Sequence, residues 1–427
     1  MNNNRFFVRR FHDNQPAATG LRLQRPASFH GSQPFRPLPA PTGSYPYHLS
    51  LASVLPPDEI SAITSAQRMV FHLVGDTGGV KTPVPQQNVA HQLALDCEVQ
   101  NATAQPSFFY HLGDVVYYYG EATEYFPQFY DAYSTYPRPI FAIPGNHDGD
   151  LSPAMQQAGT PSLAAFVRNF CASSPHHTPD ALDAARLAMD QPNVYWTLET
   201  PLATFVGLYT NVPDGGQLDD AQIAWLEQEL AAAPADRALL LCMHHPIYSL
   251  DDFHSGSVYM HGILENAMSQ SGRVPDAVFA GHVHNYQRFT RSINQRAVPF
   301  IVAGAGGYHN LHSVSKNLQG NPPLTIAGDS GTEQVTFEQY CDSQFGYLRM
   351  EVTPTTLSGT YVAVPGFGDP LQAQATTIDA FTLDLTSHTV TTQAAPASGP
   401  QPAATPLRRS THQPRQSHQR HQSSQQP

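Results

Sequence analysis

The sequence predicts an α/β domain followed by a second, antiparallel sheet. Three observations lead there. Five short apolar runs each break off into a polar loop carrying Asp, Asn or His. Stretches with helical periodicity separate several of these runs, the alternation expected of βα units. Further on, segments 345–353, 356–364 and 379–385 alternate apolar and polar residues and read as antiparallel strands that close the second sheet.

The chain has 427 residues, 41% apolar and only 13% charged, enough to bury a sizeable core. Residues 1–65 read as a Pro-rich, largely irregular extension, with a short helix over 57–67. Residues 66–386 read as the folded domain, and 387–427 as a disordered Gln/Pro/Ser/His-rich tail. The net charge of −12 is uneven. Residues 1–50 carry six Arg and one Asp, residues 388–427 carry four Arg and no acid, and the middle is left with −21. So acidic a body argues against a nucleic-acid-binding surface and suits cation loading.

Cys97, Cys171, Cys242 and Cys341 are widely spaced, without a Cys-x-x-Cys pair, so neither a structural zinc site nor disulfides are required. No stretch is long and apolar enough to span a membrane. Residues 1–10 have charges but no apolar stretch behind them, so a cytoplasmic location is the default expectation, with secretion left open.

The first core strand, Met69–Val74, runs into Gly75-Asp76-Thr77-Gly78, which puts a carboxylate at the strand tip. Open α/β sheets bind ligands at that edge. Residues 88–99 read as a helix. Strand 107–112 follows, ending in Gly113-Asp114 with Tyr117 three residues on. The aromatic-rich segment 122–134 reads as helical. Strand 139–143 ends in Pro144-Gly-Asn146-His147-Asp148. Residues 151–190 read as a helical insertion and 193–212 as two strands. Asp219 is placed to cap a helix over 220–231, in which Ile223, Leu226 and Leu230 share a face.

Strand 238–243 is apolar throughout and therefore fully buried. It ends in His244-His245-Pro246, and His254 follows in a polar loop able to cover a site. Strand 277–280 ends in Gly281-His282-Val283-His284. A His-x-His pair on an extended segment sends its side chains to opposite faces, which suits two different metals.

Asp76, Asp114, Asn146, His244, His282 and His284 thus all follow apolar strands on one inferred edge. Mixed carboxylate, amide and imidazole donors suit Fe, Mn or Zn rather than a calcium cage. A shared carboxylate can hold two ions about 3.5–4 Å apart, an arrangement that serves displacement at phosphorus.

The ordered set Gly75-Asp76-Thr77-Gly78, Gly113-Asp114-Val115-Val116-Tyr117, Gly145-Asn146-His147-Asp148, Met243-His244-His245-Pro246 and Gly281-His282-Val283-His284 resembles the calcineurin-like metallophosphoesterases. Within them it is most similar to the purple acid phosphatases. Most relatives carry a metal-binding His where Gly78 stands, and Tyr117 offers a phenolate instead.

The resemblance implies a two-sheet β-sandwich flanked by helices. It implies one metal held by Asp76, Asp114, Tyr117 and His284 and a second by Asp114, Asn146, His244 and His282. Fe(III) would occupy one site and Fe(II), Zn or Mn the other. The implied reaction is hydrolysis of phosphate monoesters on a small substrate, by in-line attack of a metal-bound hydroxide. His147 and His254 would stabilise the transition state or protonate the leaving group, with Asp148 orienting His147. Asn146, His147, His245 and His254 would contact substrate. The rivals are a phosphodiesterase using the same metals and a catalytically idle binding relative. Oligomeric state is left open.

Overall fold

In the computed structural model, which describes residues 23–25, 37–210, 216–327, 333–366 and 374–393, every apolar run that breaks off into a polar loop is a β-strand. In chain order the strands are β1 (Gln24–Arg25), β2 (His48–Ser50), β3 (Met69–Val74), β4 (Pro106–His111), β5 (Ile140–Ala142), β6 (Trp196–Glu199), β7 (Ala203–Gly207), β8 (Ala238–Met243), β9 (Gly256–Ser257), β10 (Ala277–Ala280), β11 (Tyr286–Ile293), β12 (Arg296–Ala303), β13 (Leu324–Ala327), β14 (Gln334–Cys341), β15 (Gly346–Val352), β16 (Thr356–Ala363), β17 (Thr376–Asp384) and β18 (Thr389–Thr392). The α-helices are α1 (Pro57–Ala66), α2 (Val84–Asp96), α3 (Asn146–Gly149), α4 (Pro153–Gln157), α5 (Ala164–Phe170), α6 (Asp220–Ala232) and α7 (Val258–Ser271).

Of the two large sheets, one has the order β18-β17-β16-β15-β3-β4-β5 and the other β13-β14-β11-β12-β10-β8-β7-β6-β2, while β1 and β9 pair separately as a two-stranded sheet. The strands that carry the motifs pair in parallel, β3 with β4 and β4 with β5, and β8 with β7 and β10. Parallel neighbours need long crossovers, and α2, α6 and α7 lie in three of them.

The two sheets are partitioned differently from the expectation. The alternating strands β15, β16 and β17 do not stand apart as a second sheet. β15 pairs antiparallel with β3, with Leu348 opposite Leu73, Met350 opposite Phe71 and Val352 opposite Met69. β4 covers only one edge of β3, and the apolar faces of β3 and β15 are in register along the other. The second sheet forms instead around β8 and β10, with β11, β13 and β14 as strands the sequence reading did not assign.

Burial alternates along the central strands. Phe71, Leu73, Phe108 and Tyr110 pack with Phe205, Leu240, Cys242 and Phe279 in one core. Val74, Phe109, Leu239, Leu241 and Met243 belong to the other, with Val89 and Leu93 of α2 and Trp225, Leu226 and Leu230 of α6. Each strand is covered on both faces, which is why it reads as a continuous apolar run. The Asp219 carboxylate caps α6 by accepting from the Gln222 N–H at 2.8 Å, as expected.

Two expected helical regions are less regular. Segment 122–134 has only short turns, over Ala122–Glu124 and Phe126–Tyr130. The 151–190 insertion keeps only α4, α5 and a turn at Pro179–Ala181, because Pro161, Pro175 and Pro179 interrupt any longer helix. At the N-terminal side, α1 matches the expected short helix and β2 adds an edge strand to the second sheet. Pairing continues to Thr392 through β18, past the boundary drawn at 386. Most of the extension before residue 37, and the tail from 394, lie outside the described residues. All four cysteines are free and buried. Among the described residues no helix is long and apolar enough to cross a membrane.

Candidate metal centre

The candidate donors come from two sheets, not from one edge. Asp76, Asp114 and Asn146 follow β3, β4 and β5; His244 follows β8, and His282 and His284 follow β10. The C-terminal strand ends of both sheets converge there. Oxygen or nitrogen atoms of Asp76, Asp114 and His244 all lie within 4.8 Å of one another, and all three residues are buried.

The donors fall into two groups. In the first, the Tyr117 hydroxyl lies 3.4 Å from Asp76 Oδ1 and 3.5 Å from His284 Nε2, and His284 Nε2 is 3.6 Å from Asp76 Oδ1. In the second, Asn146 Oδ1 is 3.1 Å from His244 Nε2 and 3.0 Å from His282 Nδ1, and His244 Nε2 is 3.4 Å from Asp114 Oδ2. Asp114 reaches the second group and, through Asp76 and His244, borders the first.

The local backbone explains how short loops aim these side chains. Asp76, Asp114 and His282 all have positive φ, at 57°, 53° and 68°. Non-glycine residues seldom adopt that region, and such strain gathers at functional sites. His282 is therefore in a turn, not the extended segment expected, and its N–H donates to Asp76 Oδ2 at 2.8 Å. The flanking glycines are needed for close approach. A Cβ at Gly145 would lie 2.1 Å from Asp114 Oδ1, and one at Gly281 would lie 2.6 Å from Asp76 Oδ2.

Carbonyl groups set the histidine tautomers. His244 Nδ1–H donates to the Leu112 carbonyl at 2.8 Å, and His284 Nδ1–H to the Asn310 carbonyl at 3.0 Å. Each Nε2 then faces the cluster, as a lone pair in His284 and, in His244, as a lone pair once a metal displaces its proton.

Electrostatics point the same way. Burial drives the Asp76 carboxyl up, to about 8. Burial pushes Asp114 up too, but His244 and His147 outweigh it and hold that carboxyl well below its ordinary range. His244 is raised to about 9 because Asp114 and Asp76 overcome burial. His282 and His284 are driven well below the usual imidazole range by burial and by neighbouring histidines. Two buried carboxylates, a neutral amide, a phenol and imidazoles with fixed tautomers fit metal ions as their counter-charge.

Gly78 and Tyr117 are complementary. A Cβ at Gly78 would lie 2.6 Å from Tyr117 Cδ2 and 2.4 Å from Gln128 Oε1. The Gln128 side chain holds Tyr117 on both sides, accepting from its N–H at 2.9 Å and donating to its carbonyl at 3.0 Å.

The other predicted residues are distributed around this centre. The His147 ring packs on Tyr117 at 4.5 Å, its Nδ1–H donates to the Tyr118 carbonyl, and its backbone N–H donates to Asp114 Oδ1. The Asp148 carboxylate takes backbone partners and not the His147 ring. Its oxygens accept from the N–H groups of Gly145, Val115 and Val116, tying the loop after β5 to the loop after β4. Three residues into α3, its carboxylate meets the unpaired N–H groups of the two turns, a stronger claim than a neighbouring ring makes. The His254 ring is 4.5 Å from His282, and burial pushes it down to about 3. His245 packs 4.2 Å from His282 and pairs with Thr210 Oγ1 at 2.5 Å.

Three further residues escaped the sequence reading. Tyr308 stacks on Tyr117 at 4.2 Å and packs on His284 at 4.5 Å. His312 packs on His284 at 4.4 Å, and its Nδ1 faces Asp251 Oδ2 at 3.6 Å. The glycine run 304–307 before Tyr308 was the available signal for the first; Asp251 and His312 had none.

The calcineurin-like phosphoesterase family matches residues 69–286, from β3 to the first residue of β11. The chain is 28% identical over 207 residues to purple acid phosphatase 21 of Arabidopsis thaliana, a match covering 47% of this chain and 43% of that protein. It therefore spans under half the length of that plant relative. It is 25% identical over 331 residues to human tartrate-resistant acid phosphatase type 5, covering 74% of this chain and 94% of that one. Among solved structures, purple acid phosphatase PPD1 from yellow lupin (Lupinus luteus) seeds is similar with a TM-score of 0.52 at 16% identity, over 74% of this chain and 54% of the other, a likeness of fold. The family match covers half of the sequence and contains every one of the converging donors, so this chain belongs to the calcineurin-like phosphoesterase family.

Proposed function

We propose that this protein hydrolyses phosphate monoesters of small molecules at a two-metal centre. Asp76, Asp114, Tyr117 and His284 would hold one ion, and Asp114, Asn146, His244 and His282 the other. The observation that carries this reading is the pairing of Gly78 with Tyr117. The absent side chain at 78 leaves the space that the tyrosine ring fills, and the phenol oxygen stands beside Asp76 and His284. A phenolate donor suits Fe(III), and the amide and imidazole set suits Fe(II), Zn or Mn. When bound, the ions would supply Lewis acidity to a phosphoryl oxygen and make a water acidic near neutral pH.

The chain's own residues do the rest. His147, half-buried and held at Nδ1 by the Tyr118 carbonyl, presents its other nitrogen to a phosphoryl oxygen. His254, kept neutral by burial, lies near enough to the His282 side to donate a ring N–H hydrogen bond to the departing oxygen. Asn146 and His245 border the substrate, and Asp148 keeps the two carboxylate-bearing loops in place.

The test is the visible spectrum and turnover of iron-loaded, oxidised protein. A broad visible band that vanishes in Tyr117→Phe, with 4-nitrophenyl phosphate turned over faster than bis(4-nitrophenyl) phosphate, is the expected result. No band removes Tyr117 as a ligand. Faster turnover of the bis ester makes the protein a diesterase, and no turnover of either makes it an idle relative.

A further inference from the structure

Phe253 is unusual among the large apolar side chains described here. It is 68% exposed, yet it sits on the loop that carries His254 to the metal centre. Single exposed apolar residues are ordinary on protein surfaces. This one is fixed in place. Its N–H donates to Asp251 Oδ1 at 2.7 Å, and the next N–H, of His254, donates to the same oxygen at 2.5 Å. Asp251 itself is buried, and its other oxygen faces His312 Nδ1 at 3.6 Å.

The Phe253 ring lies on the buried His312 ring, with centroids 4.9 Å apart and planes tilted by 40°. His312 rests in turn on His284, and on His254 at 5.1 Å. One carboxylate and one imidazole thus hold an aromatic side chain with a large share of its surface open, two ring contacts from His284 of the first donor group and three from His282 of the second. From His284 the ring contacts continue to Tyr308 and on to Tyr118 at 6.3 Å, both only partly buried. Aromatic rings therefore border the centre on the loops after β4, β8 and β12.

We propose that Phe253 is a specificity-determining residue for the leaving group, a platform that favours phosphate esters whose alcohol carries an aromatic ring. This rests on the phosphoesterase reading above. A phosphoryl group at the donors directs its leaving oxygen past His254, and the group beyond that oxygen runs next to the adjacent residue. There it meets the open surface of Phe253. Offset or edge-on aromatic pairs exceed plain area burial in their stabilisation.

The test compares 3-phenylpropyl phosphate with propyl phosphate, which release alkoxides of the same kind and differ in a remote ring. The readout is the ratio of kcat/KM for the two esters in the metal-loaded protein. In Phe253→Ala this ratio should fall by roughly 3- to 10-fold, in Phe253→Leu by less, and in Phe253→Tyr it should hold. The ratio of affinities for 3-phenylpropylphosphonate and propylphosphonate, neither of which can be hydrolysed, should follow the same order. Failure of turnover with both esters overturns the phosphoesterase reading, and the phosphonate ratio still decides the platform. A phosphonate ratio in Phe253→Ala within twofold of wild type overturns the platform, whatever the turnover.

Discussion

Replacing Gly78 by alanine should destabilise the metal-free protein by about 2–4 kcal/mol. Gly78 does not have positive φ, so the cost is steric and not conformational. The added Cβ would lie 2.4 Å from Gln128 Oε1, 2.6 Å from Tyr117 Cδ2 and 3.2 Å from the Val115 carbonyl. None of these can yield freely. Tyr117 is buried, and Gln128 is pinned by Tyr117 and by Glu124 Oε2 at 2.8 Å. Overpacking of this kind costs about 1–3 kcal/mol, and loosening the Gln128 clamp adds about 1 more. Gly262, on the exposed side of α7 with nothing within 4 Å of its built Cβ, supplies the opposite sign. Gly262→Ala should stabilise by about 0.5–1 kcal/mol through helix propensity alone. Urea denaturation in the presence of a chelator measures both. A second arm reads metal content and the visible band, since a displaced Tyr117 ring carries its oxygen away from Asp76 and His284. A Gly78→Ala protein within 0.5 kcal/mol of wild type, with unchanged metal content, would refute the complementarity of the two residues.

Three other outcomes follow from the same contacts. Asp379 accepts from buried Arg288 at 2.6 and 3.0 Å and joins β17 of one sheet to β11 of the other, so Asp379→Ala should cost about 3–5 kcal/mol by urea denaturation, and an apolar replacement of both partners much less. Asp148→Asn should lower the stability of the metal-free protein by about 1–3 kcal/mol, because its amide cannot accept all the N–H groups now held; His147→Ala should instead lower kcat with little change in stability. His48 lies between Glu229 at 2.8 Å and Glu199 at 3.2 Å, and Glu229 chiefly raises its folded pKa above the ordinary value near 6.5. The stability it contributes is complete below about pH 6.5 and is lost as pH rises through the raised value, so the stability difference between wild type and His48→Gln, followed by denaturation across pH, should shrink with rising pH.

The sequence by itself determined the strands and the chemistry at their tips. An apolar run covered on both faces looks like a strand wherever it sits, and a Gly-Asp, Gly-Asn or Gly-His turn after it is a local signal. That was enough to single out Asp76, Asp114, Asn146, His244, His282 and His284, whose side chains the fold brings together, and to point to Gly78 and Tyr117, whose side-chain spaces are complementary. It was not enough to say which strands share a sheet. β15 lies beside β3 only because an edge was open and two apolar faces agreed in register, and neither fact is written near residue 350. It did not show the backbone partners of Asp148, since a carboxylate three residues into a helix looks the same whether it serves a ring or backbone N–H groups. Asp251, Gln128 and His312 left no mark at all, being ordinary residues made important by what folding sets against them. Tertiary structure decided those roles, because the deciding contacts join residues far apart in the chain. The bond from His282 N–H to Asp76 spans 206 positions, and periodicity and turn chemistry read only a few residues at a time.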